Sequence, residues 1–467
     1  MFNLLKTPNF SGKIGFARAD ITPAIGIYSK NWGASTKSIL TKNHSPIMIH
    51  VVTFSSSEGQ YVLATFDLVT FPNHLEYTPK SLIASISKEF EIPEANIILH
   101  CTHTHSGPSV DINRAQEPGG EKILPFLESL KSNLMKAVKA SILNEEEAVL
   151  EWETGTSPLA TNRDFMNNDR VVVGFNPVIE ADQTLLVGRV TNSNCQEMFY
   201  LVHYACHPTT LAWDNEHFSS DYVGVLRSTV EKLSGKPCVF LLGSAGDQAP
   251  KNQYKGDTNW AEKNGKILAY SAMSLIESMN APQKQISFSR VVESGAPLAV
   301  WDQIDYRAQA NTKSEIINLS LKIKDSYPKM AQLLDQKAKC KDHFLLERIN
   351  RSISLRKAIG DVDQLESPLW VWQLGRTFMI AVPNEAYSYL QKTLREDFPE
   401  YAVLPLNLAN GAQSYLPHQQ QYDRLDTYAV WVALFERGSL EIVYEAIKSS
   451  IQNMIRKDEL CQAQTQN

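Results

Sequence analysis

Histidine is scarce in this chain, 11 in 467 residues, yet three fall within the stretch IILHCTHTHSGPS, at His100, His103 and His105. Two more, His203 and His207, share the run LVHYACHPTT. Imidazole ligates transition metals and exchanges protons near neutral pH, so both kinds of chemistry are open to such a group. Side chains on an extended strand alternate faces, which would point His103 and His105 the same way. The Ser-Gly-Pro that follows forces a turn and leaves the pair at the edge of the sheet, where sites form. His203 and His207 would lie ~13 Å apart on an extended strand, too far for one ion. His207, next to Pro208 at the strand end, is the better ligand, and His203 the better core residue. Taken alone, an H-x-H pair fits two hydrogen-bonded structural histidines better than a metal site.

Three further stretches carry chemistry. In VFLLGSAGDQAPKNQ a strand runs into a turn bearing Asp247, where Gly243 and Gly246 permit tight backbone and close approach of a ligand. Its spacing is not that of a phosphate loop. In FMIAVPNEAYSYL, Glu385 is expected in the first turn of a helix, as a dipole-stabilised structural carboxylate or as a hard-oxygen metal ligand. NGAQSYLPHQQQY is a polar loop with Tyr415 and Tyr422. Ser219, Ser220 and Asp221 open a helix and are expected to cap it.

These groups need a frame. PIMIHVVTF, YVLATFDLVTF, NIILHCTHTH, FYLVHYACH and PCVFLLGS are nearly continuous apolar runs, the pattern of strands covered on both faces. Between them, ILPFLESLKSNLMKAVKASIL and WAEKNGKILAYSAMSLIESM repeat apolar residues at helical spacing. The pattern predicts an α/β fold with a mixed, mostly buried sheet flanked by helices. From about Thr312 to Gly360 the sequence is charged and free of glycine until its end, which predicts a helical insertion broken at Pro328. A strand pattern then returns in PLWVWQLGRTFMIAVP, followed by a helix over NEAYSYLQKTLRED and a closing helix over SLEIVYEAIKSSIQNMIRK. DELCQAQTQN reads as a frayed tail. With no repeat or low-complexity linker, residues 11–460 are expected to form one domain, the insertion at 312–360 lying within it.

Composition narrows the function classes. A hydrophobic share of 43% and a charged share of 21% fit a soluble globular protein. The net charge of -6 and the lack of a conspicuous Lys/Arg cluster weigh against a nucleic-acid partner. No apolar run approaches the roughly 20 residues of a membrane span. The start, MFNLLKTPNFSGK, lacks the charged and apolar regions of a secretory signal, so a cytoplasmic location is expected. Six cysteines form no C-x-x-C pair, and Cys101, Cys206 and Cys238 sit in apolar runs as buried thiols.

In this order, the stretches resemble the neutral/alkaline non-lysosomal ceramidase family of zinc amidases. THTHSGP carries most of the likeness, then HPTT with its following SSD; GDQAP, PNEAY, SYLPHQQQY, GFARADITP and ATNRDF add to it. The likeness runs from about Ile14 to the closing helix and corresponds to the family's catalytic domain, without its C-terminal β-domain. It implies one zinc ion held by His103, His207, Glu385 and Tyr415. It also implies catalytic roles for His105, toward a substrate carbonyl or water, for Arg163, toward an oxyanion, and for Asp247 of the GDQAP turn. The family motif Gly-Asp-Val-Ser-Pro puts the proposed nucleophilic serine where this chain has Ala249, and Ser244 occupies a different position. The expected activity is therefore zinc-dependent hydrolysis of an amide bond in an N-acylated small molecule or lipid. Zinc-bound water, its pKa lowered to about 7, would attack, with His105 or Glu385 handling the proton. A non-catalytic ligand-binding relative and a hydrolase of ester or carbohydrate-linked bonds remain the alternatives, and the oligomeric state is open.

Overall fold

All five apolar runs become strands in the computed structural model, which describes residues 4–5 and 7–465. The main sheet has eight: β1 (Asn9–Asp20), β2 (Met48–Ser56), β3 (Gly59–Phe66), β4 (Ile97–Cys101), β5 (Glu146–Thr156), β6 (Thr184–Asn192), β7 (Glu197–Tyr204) and β8 (Cys238–Leu242). Their order is β8-β7-β6-β5-β1-β2-β3-β4. The inner pairs are antiparallel, while β3–β4 and β7–β8 are parallel, so the sheet is mixed. Every residue of β4 and β8 is buried, although both are edge strands. The sheet curls until those edges meet: Leu242 N–H donates to His100 Nε2 at 2.8 Å. That curl brings the ends of β4 and β7, far apart in strand order, to one place.

A second sheet, β9 (Thr312–Lys322), β10 (Gln364–Leu374), β11 (Thr377–Val382) and β12 (Ala402–Asn407), runs in that order, with β11–β12 parallel. The two sheets share an apolar core. Trp372, fully buried, meets Tyr61 edge-on at 5.2 Å and donates its indole N–H to Ala95 O at 2.7 Å. Nine helices surround these sheets among the described residues: α1 (Pro79–Phe90), α2 (Ile123–Leu143), α3 (Asp221–Ser234), α4 (Asn259–Ser278), α5 (Met330–Lys339), α6 (His343–Ile359), α7 (Tyr389–Asp397), α8 (Tyr428–Val432) and α9 (Ser439–Thr465). None is long and apolar enough to cross a membrane. α2 lies so close to β1 that a Cβ on Gly15 would stand 2.0 Å from Ser141 O.

Four local expectations are corrected. The segment read as a helical insertion begins with a strand: Ile317, Leu319, Leu321 and Ile323 alternate with Asn318, Ser320 and Lys322, the period of two that buries one face. Only α5 and α6, after Pro328, are helical. Glu385 is not in a helix; with Ala386 it forms a two-residue strand, and α7 starts at Tyr389. Ser220, at the N-cap of α3, makes no capping bond and donates instead to Pro46 O and to Asp67. The tail read as frayed is helical to Thr465, tied down by Asp458, which accepts from Lys313, Gln373 and Asn311. Gln466 and Asn467 lie outside the described residues, as does the side chain of Cys461. Cys101, Cys206 and Cys238 are buried free thiols.

Candidate metal centre

His103 sits two residues past the end of β4, not on it. Its backbone adopts φ 72°, a left-handed conformation that costs energy for a residue with a side chain. Surrounding bonds hold it there: His103 N–H donates to Leu68 O at 3.0 Å, and its Nδ1–H donates to Val69 O at 2.5 Å. His207 likewise lies three residues beyond β7. Its backbone N–H donates to Gln248 O at 2.9 Å, and its Nδ1–H to Ala245 O at 2.6 Å. Both rings spend Nδ1–H on a carbonyl, which fixes the tautomer and leaves each Nε2 with a lone pair, the arrangement of metal-ligating histidines.

Glu385 and Tyr415 reach the same point through a parallel bridge in which they are direct Cα partners. Glu385 Oε2 lies 2.9 Å from His207 Nε2 and 3.4 Å from His103 Nε2. The Tyr415 hydroxyl is 3.3 Å from His207 Nε2. One ligand atom from each of His103, His207 and Glu385 falls within 4.8 Å of the other two. Burial, aided by the charge of Arg163, pushes His207 down to about 4, so its imidazole is neutral at pH 7, as a ligand must be. Burial would raise the Glu385 carboxyl, but positive charge on the His103 and His207 rings against it would hold it well below the usual carboxylate range; with both rings neutral as ligands, that charge falls to the metal ion. Two imidazole nitrogens, a carboxylate and a phenol oxygen, buried together, form a donor set that fits Zn²⁺.

The other expected residues separate. His105 joins the cluster, its Nε2 3.4 Å from His103 Nε2 and its ring 4.7 Å from that of Trp32. The two histidines meet through the turn after β4, not by strand alternation. Arg163 is 4% exposed, with its guanidinium 5.2 Å from the centre of the Tyr415 ring. Its Nε and Nη2, like Nδ1 of His105, have no hydrogen-bond partner among the described residues. Asp247 faces elsewhere: its carboxylate accepts from Ser388 N–H at 2.7 Å and Ser388 O–H at 2.8 Å, at the start of α7. Tyr422 donates to Phe435 O at 3.0 Å. Ala249 is fully buried in a short strand paired with Ala160–Asn162, and its carbonyl accepts from Thr161. His203 is a core residue, donating to Pro405 O and accepting from Arg395, and His100 accepts from Leu242 N–H.

Burial raises the Asp247 carboxyl to about 6. Its folded pKa exceeds the unfolded value near 4, so its contribution to stability is whole below about pH 4 and is lost as pH rises through about 6. Two pH units correspond to ~3 kcal/mol. Asp247→Asn should therefore lose less stability than the wild type between pH 4 and 7, read from denaturant midpoints. Parallel pH profiles for the two proteins would reject this account.

Above the cluster opens a cavity of about 1210 Å³, lined by His105, Arg163, His207, Glu385 and Tyr415 at one end. Trp213 and Tyr254 stack on one wall with Trp32 edge-on to both, and Leu333, Leu345 and Ile349 of α5 and α6 supply another. Sequence reasoning missed these aromatic residues and the buried Asp67–Arg227 pair beneath His103. Asp67 had a signal, a lone charge inside the apolar run YVLATFDLVTF.

No protein-family model matches the chain, and no curated protein matches its sequence. Solved structures do. The crystal structure of neutral ceramidase from Pseudomonas aeruginosa is similar with a TM-score of 0.65 and 13% identity, over 95% of this chain and 74% of that one. A structure of ceramidase complexed with C2 gives 0.66 and 14%, over 96% and 76%. At that identity the likeness speaks for architecture: this chain has the fold of the neutral ceramidase structures.

Proposed function

We propose that the protein is a zinc-dependent hydrolase of an amide bond in an N-acylated small molecule or lipid. The observation that carries this reading is the convergence of His103, His207, Glu385 and Tyr415 at one end of a largely apolar cavity. Those four residues would hold the zinc ion, which supplies Lewis acidity toward a carbonyl oxygen and lowers the pKa of water. Arg163 presents unpaired N–H groups beside Tyr415, placed to donate to the oxygen that gains charge as the amide carbonyl becomes tetrahedral. His105, kept neutral by burial, is placed to take a proton from attacking water and to pass it to the departing amine. The aromatic and aliphatic walls bind the acyl chain and exclude bulk water. Position 249 offers only a methyl group, so water takes the role of nucleophile.

Ala249 also motivates a second reading, in which the site binds an acylated ligand without turning it over. One experiment separates the two. Zinc content is measured by mass spectrometry, and the protein is assayed on N-acyl amides of rising chain length, on acyl esters and on glycosides. About one zinc per chain with turnover that favours acyl amides supports hydrolysis. Full zinc occupancy with no turnover of any of them leaves ligand binding, and preference for esters or glycosides reassigns the bond.

A further inference from the structure

The helical cap over the cavity differs in charge from the rest of the chain. α5 and α6 pack through Leu333, Ile349 and Ile353. Glu347 ties α6 to the body by accepting from Arg114 at 2.8 Å, and Arg351 donates to Asn31 O at 3.2 Å. Residues 329–357 carry eight Lys or Arg against three Asp or Glu, a net of +5 in a chain of net -6. No cluster stands out in the sequence because these charges are spread along the segment; in the fold Arg356 is buried, and Lys329 and Lys339 pair with Asp363 and Asp335. Lys337, Lys341 and Arg348 are exposed.

Beside these cations, large apolar side chains face water at the mouth of the cavity. Leu345 is 45% exposed, Leu425 73% and Trp431 42%, and all three line the cavity. The Arg348 guanidinium lies 4.1 Å over the Trp431 ring. Scattered exposed leucines are ordinary, but here they border one apolar opening. The acids nearby are engaged: Asp423 pairs with Arg437, Asp426 with Arg424, and Asp342 accepts from the first N–H groups of α6. Apolar groups that can enter a headgroup boundary, flanked by cations that can meet lipid phosphates, match an anionic bilayer surface.

We infer that the α5–α6 cap docks on an anionic lipid surface. Leu345, Leu425 and Trp431 enter the headgroup boundary, Lys337, Lys341 and Arg348 face the phosphates, and the cavity mouth opens onto the lipid. Passage of an acyl amide from that surface into the cavity rests on the proposed function; docking itself does not.

Sedimentation with vesicles tests the docking. The wild type should bind vesicles of phosphatidylcholine with phosphatidylglycerol about tenfold more tightly than phosphatidylcholine alone, and less tightly as salt rises. Lys337→Glu with Lys341→Glu, and separately Leu345→Ser with Leu425→Ser, should each weaken that binding about fivefold or more, with thermal unfolding unchanged. Equal binding to both vesicles overturns the inference. So does binding that responds to the charge reversals but ignores the serine substitutions, which is adsorption by charge alone. Catalysis is not read, so a protein that docks but hydrolyses nothing defeats the proposed function only, and one that hydrolyses soluble amides but does not dock defeats the docking only.

Discussion

His207→Ala should remove the metal and the activity together. Zinc should fall from about one per chain to near zero, and amide hydrolysis by on the order of 10³-fold or more, a loss of at least ~4 kcal/mol of transition-state stabilisation. The size follows from how the ring is held. Its Nδ1–H is committed to Ala245 O and its Nε2 lies 2.9 Å from Glu385, so alanine deletes a preoriented ligand atom from beside the buried carboxylate. His105→Ala gives the contrast. That ring also faces the cluster, but its Nδ1 makes no bond that would fix it as a ligand, and the proposed role is proton transfer. This variant should keep its zinc and lose on the order of 10²–10⁴ in kcat, the usual range for a general acid–base. Metal analysis and kcat/KM on the same preparations decide. Full zinc in His207→Ala would break the ligand assignment, and zinc lost equally from both variants would make His105 a ligand.

The residues of this site were legible as types and spacings before their geometry was. Strand geometry separates His203 from His207, and His203 is a core histidine held by Pro405 and Arg395. The reason was incomplete, because β7 ends at Tyr204 and His207 lies beyond it. Strand alternation predicts that His103 and His105 align. They meet because His103 takes a left-handed backbone, fixed by the carbonyls of Leu68 and Val69 more than thirty residues away. Nothing local announces that. The residues that follow Glu385 predict a helix there, whereas its pairing with Tyr415 overrides the local preference. In β9 the signal was present, an alternation from Ile317 to Leu321, but high charge and absent glycine hid it.

Local pattern also cannot show the curl that makes β4 and β8, opposite ends of the main sheet, neighbours through Leu242 and His100. The site depends on it, since His103 follows one edge strand and Ala245 and Gln248, which position His207, follow the other. Charge behaved the same way. The chain reads as mildly acidic without a basic cluster, yet its folded cap is basic. What sequence inspection reads well is what neighbouring residues impose; ligand convergence and surface charge come from contacts between distant segments.

The buried pair under His103 carries the second large effect. Asp67 is fully buried; Oδ1 accepts from Thr102 O–H and Arg227 Nη1 at 3.0 Å each, and Oδ2 from Arg227 Nη2 at 2.5 Å, Ser220 O–H at 2.8 Å and Met48 N–H at 3.0 Å. Asp67→Ala strands the Arg227 cation, 4% exposed, among donors that lose their acceptor together. His50, kept neutral by burial and by Arg227 itself, accepts from Arg227 Nη1 at 3.4 Å but carries no negative charge to offset the cation. Breaking such a pair costs about 3–5 kcal/mol, so the variant should unfold at a clearly lower denaturant midpoint. Adding Arg227→Met removes the stranded charge and should recover part of the loss; the double variant should be more stable than Asp67→Ala alone. Thr102 precedes His103, so slackening that turn should also weaken zinc retention by about 10–100-fold in competition with a chelator, the scale set by groups that orient ligands. A variant within about 1 kcal/mol of the wild type would mean that the pair does not hold the turn. A destabilised variant with unchanged zinc affinity would place the pair in the core alone, with His103 positioned by Leu68 and Val69.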